Sequence, residues 1–432
     1  MTSADDKPAA DGPSHRKGGI SRNALWRLMD YRDYRIYTIG DGVSLIGSWT
    51  QRIAVAWLAW ELTHSGAWLG IVAFADLFPS LVFSPIGGVI ADRGDPRRIS
   101  MVTQSLAAFH AVILFLLTLT GWMDIWMLVV LVFLRGTLAS INQPARLSLV
   151  PSLLPRADLP AGLALNSVIF NTARFVGPAI AGAVIVAGGA AAAFALNAVS
   201  YIVLIWALWR IEAKPQARDR SGKRDMLSQI SAGYAYVSHH AGIGPLLLIF
   251  AASTVMVRPI AELLPGFADG IFGQGAQGLA WMASVIGLGA VLGGTAMVRS
   301  SNTGQLVIAA IGSILLLSAS VLAFALVPSY WIALLLLFCF GFGNSISGIS
   351  SQTLTQSALE DAMRGRVMSL YGAIFRGGPA IGALVIGIAS DHFGLRIPVA
   401  VAAGLCLLVA LWAVTQRRQL AANLHRPAED AA

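Results

Sequence analysis

The sequence predicts an all-α integral membrane protein of twelve transmembrane helices. Three observations carry that prediction. Of the 432 residues, 56% are hydrophobic and 12% are charged, whereas a soluble domain carries about 25% charged residues. Apolar stretches of bilayer length recur along nearly the whole chain. The lysines and arginines gather in one alternating set of connecting segments.

The elements follow in order. Residues 1–35 are polar, with no apolar core ahead of a cleavage site, and are expected to be a flexible cytoplasmic tail without a signal peptide. Six spans follow, at 36–61, 68–90, 99–120, 125–146, 160–186 and 190–209. Helices are expected there because lipid cannot satisfy unpaired backbone groups, and Gly and Pro are tolerated inside membrane helices. A cytoplasmic linker, 210–243, comes next. It begins RIEAKPQARDRSGKRD, a charged run, and continues MLSQISAGYAYVSHH, which can form a short amphipathic helix on the membrane surface. Six more spans run over 244–266, 276–298, 304–327, 329–351, 366–389 and 395–416. Residues 417–432 form a cytoplasmic C-terminal tail.

With the N-terminus inside, 24 of the 30 Lys and Arg fall in cytoplasmic segments, five within spans and one, Arg396, outside. That asymmetry places both termini in the cytoplasm. The formal charge of +8 is therefore mostly topological, and no nucleic-acid partner is expected. The spans also set the domains: a six-helix bundle over 36–209 and a second over 244–416.

Catalytic and cofactor signatures are missing from the sequence. It has no HExxH, GxSxG or P-loop pattern, so neither an enzyme nor a nucleotide-driven pump is expected. Cys339 and Cys406 sit in apolar stretches as small core residues, with no CxxC and no Cys/His cluster. His110, His239 and His240 are isolated. No metal and no cofactor is expected.

The two halves echo one another. Arg174-Phe-Val-Gly-Pro-Ala-Ile-Ala-Gly in the fifth span is matched by Arg376-Gly-Gly-Pro-Ala-Ile-Gly in the eleventh. Asn142-Gln143 and Ser351-Gln352 stand just before them. A six-plus-six duplication is a transporter architecture, with the site between the halves near the midplane.

Gly88-Val-Ile-Ala-Asp92-Arg93-Gly-Asp-Pro-Arg97-Arg98, after the second span, resembles the cytoplasmic loop motif of the major facilitator superfamily, although Asp95 and Pro96 depart from its pattern. Further stretches narrow the resemblance: Ser44-Leu-Ile-Gly-Ser-Trp49-Thr-Gln51, Trp57-Leu-Ala-Trp-Glu-Leu-Thr63, Asn142-Gln-Pro-Ala-Arg146, Leu165-Asn166-Ser with Asn171, and Gly365-Arg366-Val-Met-Ser-Leu-Tyr371. Together these look like the subgroup that includes bacterial enterobactin exporters, the transmembrane secretion effectors, over about residues 30 to 415. The resemblance implies a monomeric proton-coupled transporter of a small molecule in the bacterial inner membrane. Asp92, Arg93, Arg97 and Arg98 would form a cytoplasmic gate that holds the outward-open state. Gly177, Pro178 and Gly182 are similar to the Gly-Pro motif of proton antiporters, with Ala181 in place of one Gly. Their own chemistry allows simple close packing or a bend at Pro.

Charges within spans are the candidate site. They are Arg52, Arg135, Arg174, Arg258 and Arg376, with Asp41, Asp76 and Glu262. A charge at the bilayer centre costs about 2.5–3.5 kcal/mol, so such residues are usually paired or wet. At about 1.5 Å per residue, Asp76 lies about 12 Å from the outer end of its span, Arg52 about 14 Å and Arg135 about 15 Å. Asp76 is thus level with two arginines, as a fixed pair, as a pair that breaks during transport, or as a proton carrier. Asp41 can carry a proton, bind substrate, or sit hydrated at the mouth. Arg258 and Glu262, four apart on one helical face, are expected to neutralise each other. Arg376 is the foremost candidate for an anion contact.

Five arginines against three carboxylates make the interior positive, which favours anions. Trp49, Trp57, Trp60 and Trp281 offer stacking surfaces, or else face lipid. The expected cargo is a small anionic or aromatic molecule, siderophore-like or drug-like, leaving by alternating access. Import of a vitamin-like solute such as riboflavin, and a non-transporting sensor or scaffold, are the alternatives.

Overall fold

The computed structural model describes residues 27–212, 234–297 and 302–425. Most of the charged linker and the start of its amphipathic segment lie outside the described residues, as do 1–26 of the N-terminal tail and 426–432 of the C-terminal one. Residues 234–239, the described part of that segment, are helical.

Among the described residues all regular structure is helical. The first half comprises α1 (Arg32–Thr63), α2 (Gly66–Leu77), α3 (Pro79–Arg93), α4 (Pro96–Leu119), α5 (Ile125–Leu153) and α6 (Leu159–Arg210). The second comprises α7 (Ile243–Met256), α8 (Ile260–Pro265) with a π-helical turn (Gly266–Ile271), α9 (Gly275–Ala296), α10 (Thr303–Leu326), α11 (Tyr330–Ser357), α12 (Asp361–Phe393) and α13 (Arg396–His425). Among the described residues ten helical stretches are long and apolar enough to cross a membrane. Several exposed tryptophans stand near helix ends: Trp122 and Trp126 flank the turn between α4 and α5, Trp331 begins α11, and Trp206 and Trp209 close α6. Tryptophan at such positions is the interfacial pattern of a membrane protein.

Local chemistry sets the ends. Asp95 caps α4 by accepting from the Arg97 N–H at 2.9 Å, with Pro96 in the first turn. Asp124 caps α5 through the Met127 N–H at 2.9 Å. Pro79 splits the second span into α2 and α3, since it offers no N–H to continue the ladder. Inside α6 the backbone leaves helical geometry at Gly188 and Gly189, the latter at φ 70°. The first arm of α6 runs with α1, Gly162 near Tyr34 and Gly177 near Trp49, while the second runs against it, Ser200 near Gly47 and Ala207 near Gly40. The chain therefore reverses at the two glycines, a conformation a side chain would resist at Gly189.

Small residues set the packing, as is usual between membrane helices. Gly289 and Gly293 of α9 lie on the backbone of α11 at Phe338 and Phe342, and Gly341 lies on Ile286. The duplicated motif packs alike in both halves: Gly177 sits on α1 beside Trp49, and Gly378 sits on α7 beside Thr254. Two seams join the halves. One is α2 against α12, and the other is the first arm of α6 against α9.

Candidate functional site

A cavity of about 420 Å³ lies between the halves. Most of its wall belongs to the first half, with Ser44, Ser48, Ser80, Thr103, Gln104, Ser140, Asn142 and Gln143 among its polar side chains. Phe375 and Arg376 of α12 form the facing wall. Arg52, Asp76, Arg135, Asp41 and Arg146 also line it.

The break before Pro79 leaves Asp76 at the end of α2, where α5 approaches so closely that Gly136 rests on the Asp76 carbonyl. The Asp76 carboxylate accepts from Arg135 Nη2 on one oxygen and from Arg52 Nη1, at 3.1 Å, on the other. Arg52 Nη2 continues to Glu262 Oε1 at 2.6 Å. The result is a chain of alternating charges, Arg135, Asp76, Arg52, Glu262, across α5, α2, α1 and α8. Two cations meet two anions, so the network is electrically balanced. All four side chains are less than a third exposed, and removing one member of such a buried set typically costs about 3–5 kcal/mol.

Asp41 is held by a residue that sequence reasoning missed. Arg146 Nε and Nη2 donate to its two oxygens at 2.9 and 2.8 Å, a side-on fork. The sequence ended the fourth span at 146 and counted Arg146 with the loop charges. In fact α5 runs to Leu153, so Arg146 is inside the helix and faces α1. Asn197 Nδ2 donates to Gln51 Oε1 at 2.6 Å, and Thr50 Oγ1 donates to the Gly177 carbonyl at 3.1 Å, pinning α1 to both arms of α6.

The second half corrects one expectation. Arg258 and Glu262 do not neutralise each other. The helix is interrupted between Met256 and Ile260, where Pro259 supplies no N–H and the Arg258 N–H reaches back to Ser253. The four-residue spacing therefore no longer marks one face. Glu262 turns to Arg52, and Arg258 lies with its guanidinium 4.9 Å from the ring centres of both Phe250 and Phe375.

Arg174, Arg258 and Arg376 make no ion pair with the described residues. Each is coupled to the cavity. Arg376 lines it, with Nη1 3.4 Å from Ser84 Oγ. Arg174 lies 5.7 Å from the ring of Trp49, which also has Arg52 at 5.7 Å. Arg258 stands behind Phe375. Two aromatic walls of the cavity are thus backed by guanidinium groups, and Trp49 and Phe375 present π faces with excess positive charge behind them. Trp57 is half-buried against the core, Trp60 is buried, and Trp281 is exposed.

The hydrogen bonds seen between the halves among the described residues include several at mid-depth and at the end that carries His64 and Gly394. There the Trp60 indole donates to Asp269 at 2.9 Å, and Asp391 accepts from Ser65 Oγ at 2.7 Å and from the Ala67 N–H at 3.1 Å. The Asp391 carboxylate caps the first turn of α2 from the other half, where a negative charge is favoured. Neither Asp269 nor Asp391 stood out in the sequence. Gly66, Gly70 and Gly387 close the same end against the backbone of the opposing helix. Further along, α12 packs broadly on α2 and only slightly on α3. The halves are closed at one end and diverge towards the other.

The loop motif lies at the diverging end. Arg97 donates from Nε and Nη2 to the carbonyls of Leu208 and Trp209 at 2.6 and 2.7 Å, capping the last turn of α6. Arg98 lies 3.6 Å from the exposed Asp95 carboxylate, and Asp92 and Arg93 close α3 on an exposed turn. Gly87, not Gly88, is the close-packed glycine: it meets Ser140 and Ile141, while Gly88 faces open space. Gly177 and Gly182 are contact points on Trp49 and Ala280, and the backbone break of α6 comes later, at Gly188 and Gly189.

Comparison with known proteins agrees with this architecture. The family described as transmembrane secretion effector matches residues 26–428. The chain is 24% identical to the staphyloferrin A transporter of Staphylococcus aureus, over 81% of this chain and 87% of that protein. It is 23% identical to macrolide efflux protein A of Streptococcus pyogenes, over 86% and 91%. It is 24% identical to the enterobactin exporter of Escherichia coli, over 83% and 86%. Among solved structures, a bacterial homologue of the human lysosomal transporter Spinster, inward-facing and unoccupied, has a TM-score of 0.70 at 14% identity, covering 94% of this chain and 100% of that one. A POT family transporter in complex with 5-aminolevulinic acid has a TM-score of 0.71 at 13% identity, covering 90% and 96%.

Proposed function

The chain belongs to the transmembrane secretion effector family of the major facilitator superfamily, and on that premise we propose that it is a proton-coupled exporter of a small anionic or aromatic molecule. It is a multi-pass membrane transporter, not an enzyme. The observation that carries the substrate class is the charge balance around the cavity: among the described residues Arg174, Arg258 and Arg376 make no ion pair, with Arg174 beside Trp49, Arg258 beside Phe375 and Arg376 on the cavity wall. Such a site attracts anions and repels organic cations. Relatives described as transporters of staphyloferrin A and enterobactin, and as a macrolide efflux protein, support a siderophore-like or drug-like cargo.

The proposed architecture is twelve spans in two six-helix bundles, 36–209 and 244–416. The reversal of α6 at Gly188–Gly189 supports counting its arms as two spans, and the 32-residue α1 is long enough for another. With both termini in the cytoplasm of a bacterial inner membrane, the diverging end faces the cytoplasm and the cavity stands ready to load from inside. Rocking of the halves would then close that end around Asp92, Arg93, Arg97 and Arg98. The protein would act as a monomer. The proton path would draw on Asp41, Asp76 and Glu262, whose bonds to arginines can exchange as the halves move.

The test is ligand-dependent proton flux in proteoliposomes, run across siderophores, flavins and drugs. Export of an aromatic anion coupled to inward proton movement supports the proposal. Preferential transport of organic cations would overturn the substrate class, and concentrative uptake of riboflavin would reverse the direction. Asp92→Asn is expected to slow turnover about tenfold, one broken charged interaction's worth, while leaving protein in the membrane. Normal turnover would remove the gate from the mechanism.

A further inference from the structure

Arg258 of the second half is withdrawn from water and makes no ion pair among the described residues. Arg258 is 6% exposed. Its guanidinium lies against Phe250 and Phe375, 4.9 Å from each ring centre, and those two rings and Tyr371 stack on one another. Aromatic faces attract the charge, but here they leave two N–H edges bare: Nε and Nη2 have no hydrogen-bond partner. Those two nitrogens form the side-on fork that, on Arg146, grips both oxygens of Asp41. Arg258 offers the same fork with nothing in it.

Neighbouring polar atoms are unoccupied too. Asn344 Oδ1, Ser347 Oγ and Ser351 Oγ of α11 are buried without partners. Spaced by three and four residues, they share one helical face. Gly348 belongs to that face, and a methyl group placed there would lie 3.9 Å from Arg258 Nη2. Native proteins leave few buried polar groups unpaired, so five such atoms on facing helices call for a ligand.

We propose that Arg258 and this face of α11 form the deep anion subsite of the transport cavity, taking a carboxylate or phenolate oxygen of an aromatic cargo. Nε and Nη2 grip the anionic oxygens, and the serine hydroxyls donate to them. The aromatic body stacks on Phe375, whose ring lines the open cavity and also covers Arg258. A rotamer change at Phe375 admits the anion. The subsite rests on the reading that the cargo is anionic, and it assigns the deepest contact to Arg258 in addition to Arg376, which lies in the open cavity.

The experiment uses the full-length protein in nanodiscs, with salicylate as the aromatic anion and neutral salicylamide as its control. Calorimetry and thermal unfolding are read together. The wild type should bind salicylate more tightly than salicylamide. Arg258→Met should weaken salicylate about tenfold or more and leave salicylamide unchanged. Its thermal midpoint should hold or rise, because an unpaired buried charge has been replaced by an apolar chain. Gly348→Val, which fills the space beside Nη2, should weaken salicylate with Arg258 intact. Unchanged salicylate affinity in Arg258→Met overturns the subsite and makes Arg258 a packing group against the stacked rings. If that variant fails to fold, unchanged affinity in Gly348→Val overturns the subsite instead. A wild type that does not prefer salicylate overturns both the subsite and the anionic reading of the cargo. A preference that the Arg258 change leaves undiminished overturns the subsite alone.

Discussion

The two halves treat a buried arginine in opposite ways. In the first, Arg52 is bound by carboxylates on both sides, and Arg135 shares one of them. In the second, Arg258 has aromatic faces and two bare N–H groups. A paired charge is a structural commitment, because removing either partner strands the other. A charge left unpaired destabilises the resting state and remains available for an incoming group. Arg52 and Arg135 thus hold the fold and the closed end together, while Arg258, like Arg174 of the first half, is the kind of charge that the proposed anionic cargo would use.

The largest test of that contrast is Asp76→Asn. It leaves Arg135 without a carboxylate and should cost about 3–5 kcal/mol in thermal unfolding of the purified protein. Adding Arg135→Met should recover at least half of the loss. A loss that the second change deepens would show that the charges do not act as one set.

Next comes Glu262→Gln, which cuts the ion pair between α1 and α8. A charged hydrogen bond contributes about 1.5–3 kcal/mol, so the closed end should open about tenfold more often. Alkylation of a cysteine placed at Leu395 would report it. An unchanged rate would move the fastening to the glycine seam alone. Trp60→Phe should do less. It removes one hydrogen bond to Asp269, about 1 kcal/mol, and should raise the same alkylation rate about fivefold.

The smallest effect lies outside the membrane. Tyr31 donates to Asp158 at 2.8 Å and Arg27 at 2.5 Å, and the Tyr31 bond foremost holds the Asp158 carboxyl below its ordinary range. A depressed carboxyl supports the folded state at neutral pH, and that support is lost as pH falls below the usual carboxylate range. Protection of 27–31 from hydrogen exchange, relative to the unstructured rate at each pH, should therefore fall on acidification, a rise in opening. Tyr31→Phe should bring that rise to a higher pH, with about the wild-type transport rate, as for a surface change.

Depth was legible in the sequence, and rotation was not. Counting residues from span ends put Asp76 level with Arg52 and Arg135, and the structure brings the three together. The duplicated Gly-Pro motif also emerged from the sequence, because repetition needs no geometry to be seen. Arg146 was hidden by a span boundary set a helical turn or two short of Leu153. The supposed Arg258–Glu262 pair assumed an unbroken helix through Pro259, and the proline was the available signal against it. Asp269 and Asp391 were hidden because each meets the other half only once the helices are docked, and one-dimensional spacing carries no docking angle.

The seam between α2 and α12 has a last consequence. Gly66, Gly70 and Gly387 meet backbone there, and a methyl on Gly387 would lie 3.0 Å from Gly70 Cα. Such a junction has almost no rotamers to freeze and little polar surface to dehydrate. If the halves rock as proposed, such a face would part and re-form with little side chain to reorder, as a machined face does where an adhesive would tear.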